Sequence, residues 1–324
     1  MIDIHDVEDA ARRLKDVAIR TPLIENSGLN ERAGGRVLLK PECLQRTGSF
    51  KIRGAYNLLS QLSPQQAKQG VVAWSSGNHA QGVACAAGLL GIHAAIVMPE
   101  DAPAAKIDNT RQLGGEVITY DRYTGDREQI ARGIAAERGA ELVPSYDHAH
   151  IIAGQGTVGL EIAEQSLELG RPAEQVLICC GGGGLTAGSA IALKERLPEV
   201  RVQTVEPESF DDTARSLEAG ERLSVDTTAR SICDALQSPS PGNLTFPIIQ
   251  KLTGPGLAVS DDEVREAMRF AFRHLKLVIE PGGAVALAAV LSGKLETSGL
   301  TTVVVISGGN VDIDLFAAIQ AEPS

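Results

Sequence analysis

One lysine of the sequence stands where an amine could do chemistry. Lys51 occurs in the segment TGSFKIRGAYN, directly between Phe50 and Ile52. Apolar surroundings lower the pKa of an ammonium group, so this side chain could serve as an amine nucleophile or as a base. A lysine near a helix start is also commonly a solvated side chain, and the residue types alone leave both interpretations open.

A run of glycines offers a second chemical feature. Gly181–Gly184, followed by Leu185, lies between an apolar strand-length run and a helix-like segment. Consecutive glycines let several backbone N–H groups converge on an anion, and the start of a helix adds a favourable dipole. The pattern indicates either a phosphate cradle or a tight turn in close packing. It is neither GxGxxG nor GxxxxGK[ST], which disfavours the nucleotide-binding folds that those motifs mark.

Two polar segments follow other strand-length runs. Ser75, Ser76, Asn78 and His79 lie in WSSGNHAQG, where hydroxyl and backbone N–H groups could bind a carboxylate, or a serine could simply cap the next helix. The segment VEPESFDD supplies the carboxylates of Glu206, Asp211 and Asp212. Oxygen ligands suit Mg²⁺, Mn²⁺ or Ca²⁺ better than zinc, although an acidic surface turn would have the same composition.

The elements that must position these segments alternate in type. Apolar runs of strand length alternate with amphipathic runs of helix length, which predicts mainly parallel sheets with right-handed crossovers. No linker rich in Pro, Gly or Ser divides the chain, so two domains would be interleaved. The predicted strands are Arg36–Leu39, Gly70–Trp74, His93–Met98, Glu116–Tyr120, Glu141–Val143, Gln175–Cys179, Arg201–Val205 and Thr301–Ser307. The predicted helices include Asn78–Leu90, Ala102–Leu113, Arg127–Arg138, Thr157–Leu169, Ala187–Arg196, Asp261–Leu275 and Gly283–Leu291.

Composition excludes several classes of protein. The chain of 324 residues is 43% hydrophobic, which is enough for a sizeable core and argues against disorder. Its 30 basic and 41 acidic residues give a net charge of −11, so we expect no nucleic-acid partner. No run is long and apolar enough for a membrane span, and the polar N-terminus lacks the apolar region of a signal peptide. Five cysteines without a CxxC pair favour neither zinc nor disulfides, and we expect a cytoplasmic enzyme.

Taken together, the segments resemble a known enzyme family. The sequence contains, in the family's order, SFKIRGAYN, SSGNHAQGVA, IAGQGTVGLEI, GGGGL, IEPGGAVALAAVL and SGGN. These motifs look like those of the fold-type II enzymes that depend on pyridoxal 5′-phosphate (PLP). Within that family the chain resembles the group of serine/threonine dehydratases, serine racemases and 3-hydroxyaspartate dehydratases. The resemblance implies an α/β fold of two open, mainly parallel sheets flanked by helices.

The resemblance also assigns a cofactor and roles to particular residues. Lys51 would attach PLP and then take the α-proton of the substrate, and Ser76 would donate or accept a proton on the opposite face. The cofactor contacts implied are Phe50 near the ring, Gly181, Gly182, Gly183, Gly184 and Leu185 around the phosphate, Asn78 at the 3-hydroxyl and Ser307 at the ring nitrogen. A serine there does not enforce a protonated ring, which suits β-elimination.

The substrate would be a small β-hydroxy amino acid. The family pattern places Ser75, Asn78 and His79 around its α-carboxylate, and Ser238 matches a pocket serine. Arg127 has the spacing of a pocket arginine of the serine racemases. A substrate with a second carboxylate would need such a cation as its partner. A solvated surface arginine is the alternative. 3-Hydroxyaspartate is therefore the sharpest prediction, with L-serine or L-threonine as the broader one. The EPESFDD segment matches the family's metal loop, with Glu206, the Phe210 carbonyl and Asp212 as ligands.

The family also implies an architecture and leaves other activities open. Residues 70–146 would form a small domain inserted into a large one made of 1–69 and 147–324, and a homodimer is usual. The chain ends soon after SGGN, so we expect no isoleucine-binding regulatory region. A serine or aspartate racemase is the main alternative. β-Replacement on an activated serine is less favoured, because the motif around Lys51 and the SGGN ending both look like those of dehydratases. A non-enzymatic PLP-storage or amino-acid-sensing protein is less favoured, because Lys51 and Ser76 are both present.

Overall fold

The computed structural model describes residues 2–102, 104–121, 123–226 and 228–322, which form two sheets with helices around them. The strands are β1 (Ile24–Glu25), β2 (Arg36–Pro41), β3 (Val71–Trp74), β4 (Ala94–Pro99), β5 (Glu116–Tyr120), β6 (Glu141–Leu142), β7 (Gln175–Cys179), β8 (Arg201–Pro207), β9 (Leu257–Val259) and β10 (Thr301–Ile306). The helices are α1 (Ile4–Leu14), α2 (Ser27–Ala33), α3 (Lys51–Leu59), α4 (Pro64–Gln69), α5 (Asn78–Leu90), α6 (Ala104–Gln112), α7 (Arg127–Arg138), α8 (Ala149–Glu168), α9 (Gly184–Arg196), α10 (Asp212–Ala219), α11 (Thr245–Leu252), α12 (Asp261–Phe270), α13 (Pro281–Leu291) and α14 (Ile313–Ala321).

The larger sheet has six strands in the order β1-β2-β10-β7-β8-β9. β1 is antiparallel to β2, and the other neighbouring pairs are parallel. Every residue of β7 and of β10 is buried, as expected for central strands with helices on both faces. The core of this sheet is largely aliphatic and includes the alanine-rich helix α13.

The smaller sheet has four parallel strands in the order β5-β4-β3-β6. One of its faces packs against α5 and α3, and α7 covers strands on the other face. Helix α3 therefore contributes Ile52, Ala55, Leu58 and Leu59 to the core of this sheet. The division into domains at residues 70 and 146 stays a prediction.

The predicted fold class is confirmed: the chain is α/β with two open sheets, parallel except at β1. The largest difference concerns α8, which begins at Ala149 rather than at Thr157. Gly154 and Gly156 in its first half are sites of close helix contact rather than helix breakers. A Cβ at Gly154 would lie 2.6 Å from the Arg53 carbonyl oxygen, and one at Gly156 would lie 2.7 Å from that of Gly188.

Among the described residues, none of the helices combines the length and the apolar character that a membrane span requires.

Candidate active site

A cavity of about 700 Å³ lies where the carboxyl ends of strands from both sheets face each other. Open α/β sheets bind their ligands at such ends, because the loops that follow the strands diverge there. All the residues predicted to bind cofactor or substrate line this one cavity: Phe50, Lys51, Ser75, Ser76, Asn78, His79, Arg127, Gly181, Gly182, Gly183, Gly184, Leu185, Ser238 and Ser307. Their individual roles stay predictions.

Lys51 is the first residue of α3 and faces the cavity. The Phe50 N–H donates to the Ser307 carbonyl oxygen at 3.2 Å, which holds this helix start against the end of β10. The Lys51 Nζ donates to the Ser145 carbonyl oxygen at 2.9 Å and lies 5.2 Å from the centre of the Phe50 ring. Burial lowers the pKa of Lys51 to about 8. A useful fraction of this amine is therefore neutral near pH 7, as a nucleophile or base requires.

The glycine run forms a cradle at the start of α9. Gly183 has a φ of +89° and precedes the helix without any capping side chain, so the first N–H groups of α9 have no side-chain partner at this cap. The Gly182 carbonyl oxygen accepts from the Thr245 hydroxyl at 2.7 Å, which fixes the loop from behind. A Cβ at Gly182 would lie 2.4 Å from the Tyr146 ring. Bare backbone donors at a helix start fit a phosphate group, so the residues present suit PLP at this position.

The inner wall of the cavity is a connected polar network. The Asn78 Nδ2 donates to the Glu280 Oε1 at 2.5 Å, and the Asn78 Oδ1 accepts from the Asn310 Nδ2 at 2.7 Å. Burial raises the pKa of Glu280 to about 7. Burial likewise raises the pKa of Cys179 to about 11, although a hydrogen bond with Ser307 opposes the shift. Asn78 is thus held by its neighbours on the wall where the resemblance places the cofactor ring, and the backbone of Ser307 is held there by the Phe50 N–H.

His79 is held neutral. Its Nε2 lies 2.8 Å from the Val143 carbonyl oxygen, which can only accept, so this nitrogen carries the ring proton. Burial, together with the charge of Lys51, lowers the pKa of His79 to about 3. A neutral, oriented imidazole fits a binding role. Beside it, the Ser75 hydroxyl accepts from the Gly77 N–H at 3.2 Å, and Ser76 lines the cavity.

The cations at the mouth of the cavity differ in how they are paired. Lys106 donates to Asp234 at 3.0 Å, Arg132 pairs with Glu128, and Arg222 donates to the Pro241 carbonyl oxygen at 2.8 Å.

Arg127 begins α7, is exposed, and has no ion pair or hydrogen bond to its guanidinium from any residue that the structure describes. Ser238 and Tyr146 line the same cavity. Arg127 is therefore available to an anionic ligand.

The predicted metal ligands lie together outside this cavity. Glu206 accepts from the backbone N–H groups of Thr213 and Ala214 at 3.0 and 2.8 Å. Both carboxylate oxygens of Asp212 are buried and have no hydrogen-bond partner among the residues that the structure describes. Burial raises the pKa of Asp212 to about 7, and burial together with Asp212 raises that of Glu206 well above its usual range. Two neighbouring buried carboxyls, one of them without a hydrogen-bond partner among the described residues, fit a divalent cation. No group of three or more His, Cys, Asp or Glu side chains suited to a metal occurs within the described ranges.

Sequence reasoning missed several residues of the cavity wall, among them Glu280, Tyr146, Asn310 and Gln155. Glu280 stands in IEPGGAVALAAVL, one of the family motifs, which could have drawn attention to it. Gln155 and Asn310 likewise stand in the family motifs IAGQGTVGLEI and SGGN. Tyr146 carries no comparable mark, because its place in the cavity depends on the packing of the loop before α8.

Comparison with known proteins agrees with this geometry. Residues 14–308 match the family described as "Pyridoxal-phosphate dependent enzyme", and the chain belongs to that family. It is 46% identical over 315 residues to the L-threo-3-hydroxyaspartate ammonia-lyase of a Pseudomonas species, covering 97% of each chain. It is 43% identical to the serine racemase of Schizosaccharomyces pombe, covering 96% of this chain and 95% of that one.

A solved structure leads to the same fold. The serine racemase of maize has a TM-score of 0.92 and 36% identity, covering 98% of this chain and 96% of the other. The predicted resemblance to the fold-type II PLP enzymes and the predicted cofactor, PLP, are confirmed by the family match.

Proposed function

We propose that the protein is an ammonia-lyase that converts a β-hydroxy amino acid to a 2-oxo acid and ammonia, with 3-hydroxyaspartate as the preferred substrate. One observation carries the choice of substrate. The guanidinium of Arg127 lies in the same cavity as Lys51 and is not paired with any residue that the structure describes. A second carboxylate on the substrate would supply its partner, whereas serine and threonine have none to offer. The Pseudomonas relative named L-threo-3-hydroxyaspartate ammonia-lyase supports this choice.

Different residues of the cavity would have different roles in the reaction. PLP, when bound, withdraws electrons from the α-carbon of an amino acid and so acidifies the α-proton. The glycine cradle would hold its phosphate, with Asn78 and Ser307 at its ring. Ser75, Asn78 and His79 would orient the α-carboxylate by hydrogen bonds. The neutral amine of Lys51 would take the α-proton, and the hydroxyl then leaves from Cβ.

The reaction balances without an oxidant. Elimination releases one water, and hydrolysis of the resulting enamine consumes one water and releases ammonia. 3-Hydroxyaspartate thus gives oxaloacetate, serine gives pyruvate and threonine gives 2-oxobutyrate. The cavity walls come from both sheets, so an approach of the two would exclude bulk water during the proton transfers.

A racemase is the second candidate, because Ser76 lines the cavity together with Lys51. Two proton-carrying groups in one cavity are what inversion at Cα requires. A neutral serine is a weak base, so Ser76 would serve better as a donor than as an acceptor. Elimination needs only Lys51 as base, and it remains our first choice.

Three further features belong to the proposal. Glu206, the Phe210 carbonyl and Asp212 would bind Mg²⁺, or Mn²⁺ or Ca²⁺, as a structural or activating ion, supported by the unpartnered oxygens of Asp212. The protein would act in the cytoplasm and would form a homodimer, as is usual in the family.

Oxo-acid formation tests the proposal directly. The purified enzyme is supplied with L-serine, L-threonine and each stereoisomer of 3-hydroxyaspartate, and the leftover substrate is analysed on a chiral column. We expect oxaloacetate to form fastest. Faster appearance of the opposite enantiomer than of oxo acid would favour the racemase, and absence of any product would contradict both candidates.

Arg127→Gln tests the choice of substrate. A hydrogen bond to a charged group contributes about 1.5–3 kcal/mol, so kcat/KM for 3-hydroxyaspartate should fall roughly 10-fold or more while that for serine changes less than about 2-fold. Arg132→Gln is the matched control, since Arg132 lines the same cavity but is already paired with Glu128. Equal losses of kcat/KM with both substrates, or no loss with either, would mean that Arg127 does not bind the second carboxylate of 3-hydroxyaspartate.

A further inference from the structure

A buried ionic cluster lies two residues beyond Lys51 on α3. Arg53 is 1% exposed and Glu42 is fully buried. The Arg53 Nε and one terminal nitrogen donate to the two oxygens of Glu42, both at 2.8 Å. The terminal nitrogens also donate to the two oxygens of Glu161, at 2.7 and 3.0 Å. We call Arg53, Glu42 and Glu161 the α3 ion cluster.

The guanidinium is saturated from several segments of the chain. Besides the two carboxylates it donates to the Thr157 hydroxyl at 3.1 Å and to the Ile19 carbonyl oxygen at 3.2 Å. These partners come from the segment before β1, the turn after β2 and helix α8. A planar fork held on all its edges fixes both the position and the rotation of the helix that carries it.

The two sides of α3 are anchored differently. Ile52 and Ala55 pack into the core of the smaller sheet, whereas Arg53 reaches α8 and the elements of the larger sheet. Gly54 reinforces the second contact, because a Cβ there would lie 2.9 Å from the Ile151 carbonyl oxygen of α8. Lys51 thus begins a helix that joins both sheets.

The first turn of α3 lacks the usual stabilising groups. Phe50 provides no side-chain cap, and the turn contains two cations, Lys51 and Arg53, but no acidic residue. Cations at a helix N-terminus oppose the helix dipole. The carboxylates of Glu42 and Glu161 offset this charge from outside the helix. Burial alone would raise the pKa of Glu42, but Arg53 and Lys40 lower it overall, which keeps the carboxylate ionised.

We propose that Arg53 is a positioning residue for Lys51: the α3 ion cluster fixes the first turn of α3 and thereby aims the Lys51 amine at its reacting atoms. The proposal rests on the proposed role of Lys51. Buried ion pairs contribute little to stability compared with well-packed apolar groups. Stability alone therefore gives a weak reason for the buried Arg53 to be held between the buried Glu42 and the partly buried Glu161, which also accepts from Lys40 at 2.6 Å. A requirement for precise direction next to Lys51 supplies a reason.

Arg53→Lys is the informative variant, because lysine keeps the charge but cannot donate to both carboxylates as a fork. Glu161→Gln is the second variant, since it keeps the shape and removes the charge that Arg53 shares with Lys40. Arg20→Gln is the matched control: Arg20 is exposed, and its guanidinium pairs with Glu164 and Glu168 on the same helix α8 and not with a residue of the α3 ion cluster. Each purified holoenzyme is assayed for kcat and KM, for the pH dependence of the visible absorbance of PLP bound to lysine, and for its unfolding midpoint.

We expect folded Arg53→Lys and Glu161→Gln to lose kcat by about 10-fold or more with KM changed less than about 3-fold, and to shift the pH midpoint of the absorbance. Arg20→Gln should match the wild type. Folded variants with kcat within about 2-fold and an unchanged spectrum would overturn the proposal. Failure of both variants to fold would also count against it, because the cluster would then serve the fold and not Lys51.

Two further samples separate this test from that of the proposed function. If the wild type acts on none of the β-hydroxy amino acids, or if Lys51→Ala keeps its activity, the proposed function fails. If the wild type is active, Lys51→Ala is inactive and Arg53→Lys behaves as the wild type, only the positioning role fails. The absorbance titration reports on Lys51 in either case.

Discussion

Replacing Lys51 by methionine should stabilise the cofactor-free protein at neutral pH. Burial lowers the pKa of Lys51 from its ordinary value of 10.5 to about 8, which corresponds to up to about 3 kcal/mol of destabilisation below pH 8. Methionine removes that cost and loses one hydrogen bond, to the Ser145 carbonyl oxygen, which contributes about 1 kcal/mol. The net gain should be about 2 kcal/mol at pH 7, as is common where function demands a costly side chain.

The sign of the pH dependence follows from proton binding. Between about pH 8 and pH 10.5 the unfolded wild type binds a proton at Lys51 that the folded protein has lost, so the stability of the wild type rises with pH over this window. The methionine variant has no such group. The difference between the two proteins should therefore be largest at pH 7 and should shrink as the pH approaches 10.5.

Urea unfolding of both proteins, freed of PLP and followed at pH 7, 8.5 and 10, measures this difference. Lys68→Met serves as the control, because Lys68 is exposed on α4 and lies outside the cavity. A Lys51→Met protein that is no more stable than the wild type at pH 7 would refute the reasoning. So would a gain that stays constant across the pH range, since it would then come from packing and not from the buried charge.

Two other predictions concern the cradle and the acidic loop. Gly182→Ala should weaken PLP binding by about 10-fold or more in a cofactor titration, because its Cβ would lie 2.4 Å from the Tyr146 ring. Gly133→Ala is the control and should bind PLP normally, because a Cβ there meets nothing within 4 Å. Equal PLP affinity of the two variants would contradict the role of the glycine run as a phosphate cradle. Mg²⁺ at about 100 times its Kd should stabilise the wild type by about 2.7 kcal/mol, seen as a higher unfolding midpoint. Asp212→Asn should abolish this response and Asp211→Asn should keep it; an unchanged response in Asp212→Asn would remove Asp212 from the site.

The residues predicted from local signals were those whose chemistry is marked in the sequence. Gly181–Gly184 indicate a turn before a helix, and the strand end before Ser75 follows from an apolar run of the right length. The last strand was predicted to end at Ser307, one residue beyond the observed end of β10. Parallel strands bring such ends to one edge of a sheet, so the convergence of these segments in one cavity could be expected. The predicted first and last residues of β7 and of α5 agree with those of the structure, because local sequence patterns mark both elements.

The contacts that hold these residues could not be predicted, because their partners are distant in the chain. Asn78 and Glu280 are 202 positions apart, and Arg53 and Glu161 are 108 apart. The glycines of α8 were misleading for a related reason. Gly154 weakens helix propensity locally, but the close contact with α3 that it allows is a property of the packed pair.

The buried polar groups of the cavity wall differ from Arg127 in how strongly they depend on their neighbours. Asn78, His79 and Glu280 are buried and hydrogen-bonded to neighbours, so a change in any of them leaves a polar group unsatisfied and disturbs the rest. Arg127 is exposed at the start of its helix, and no described residue depends on it. Under the proposed function, a substitution there would alter which substrates the cavity accepts while Lys51 and the cradle stay in place. Relatives on this scaffold can therefore share one proton-transfer machinery and differ in substrate through positions of this kind.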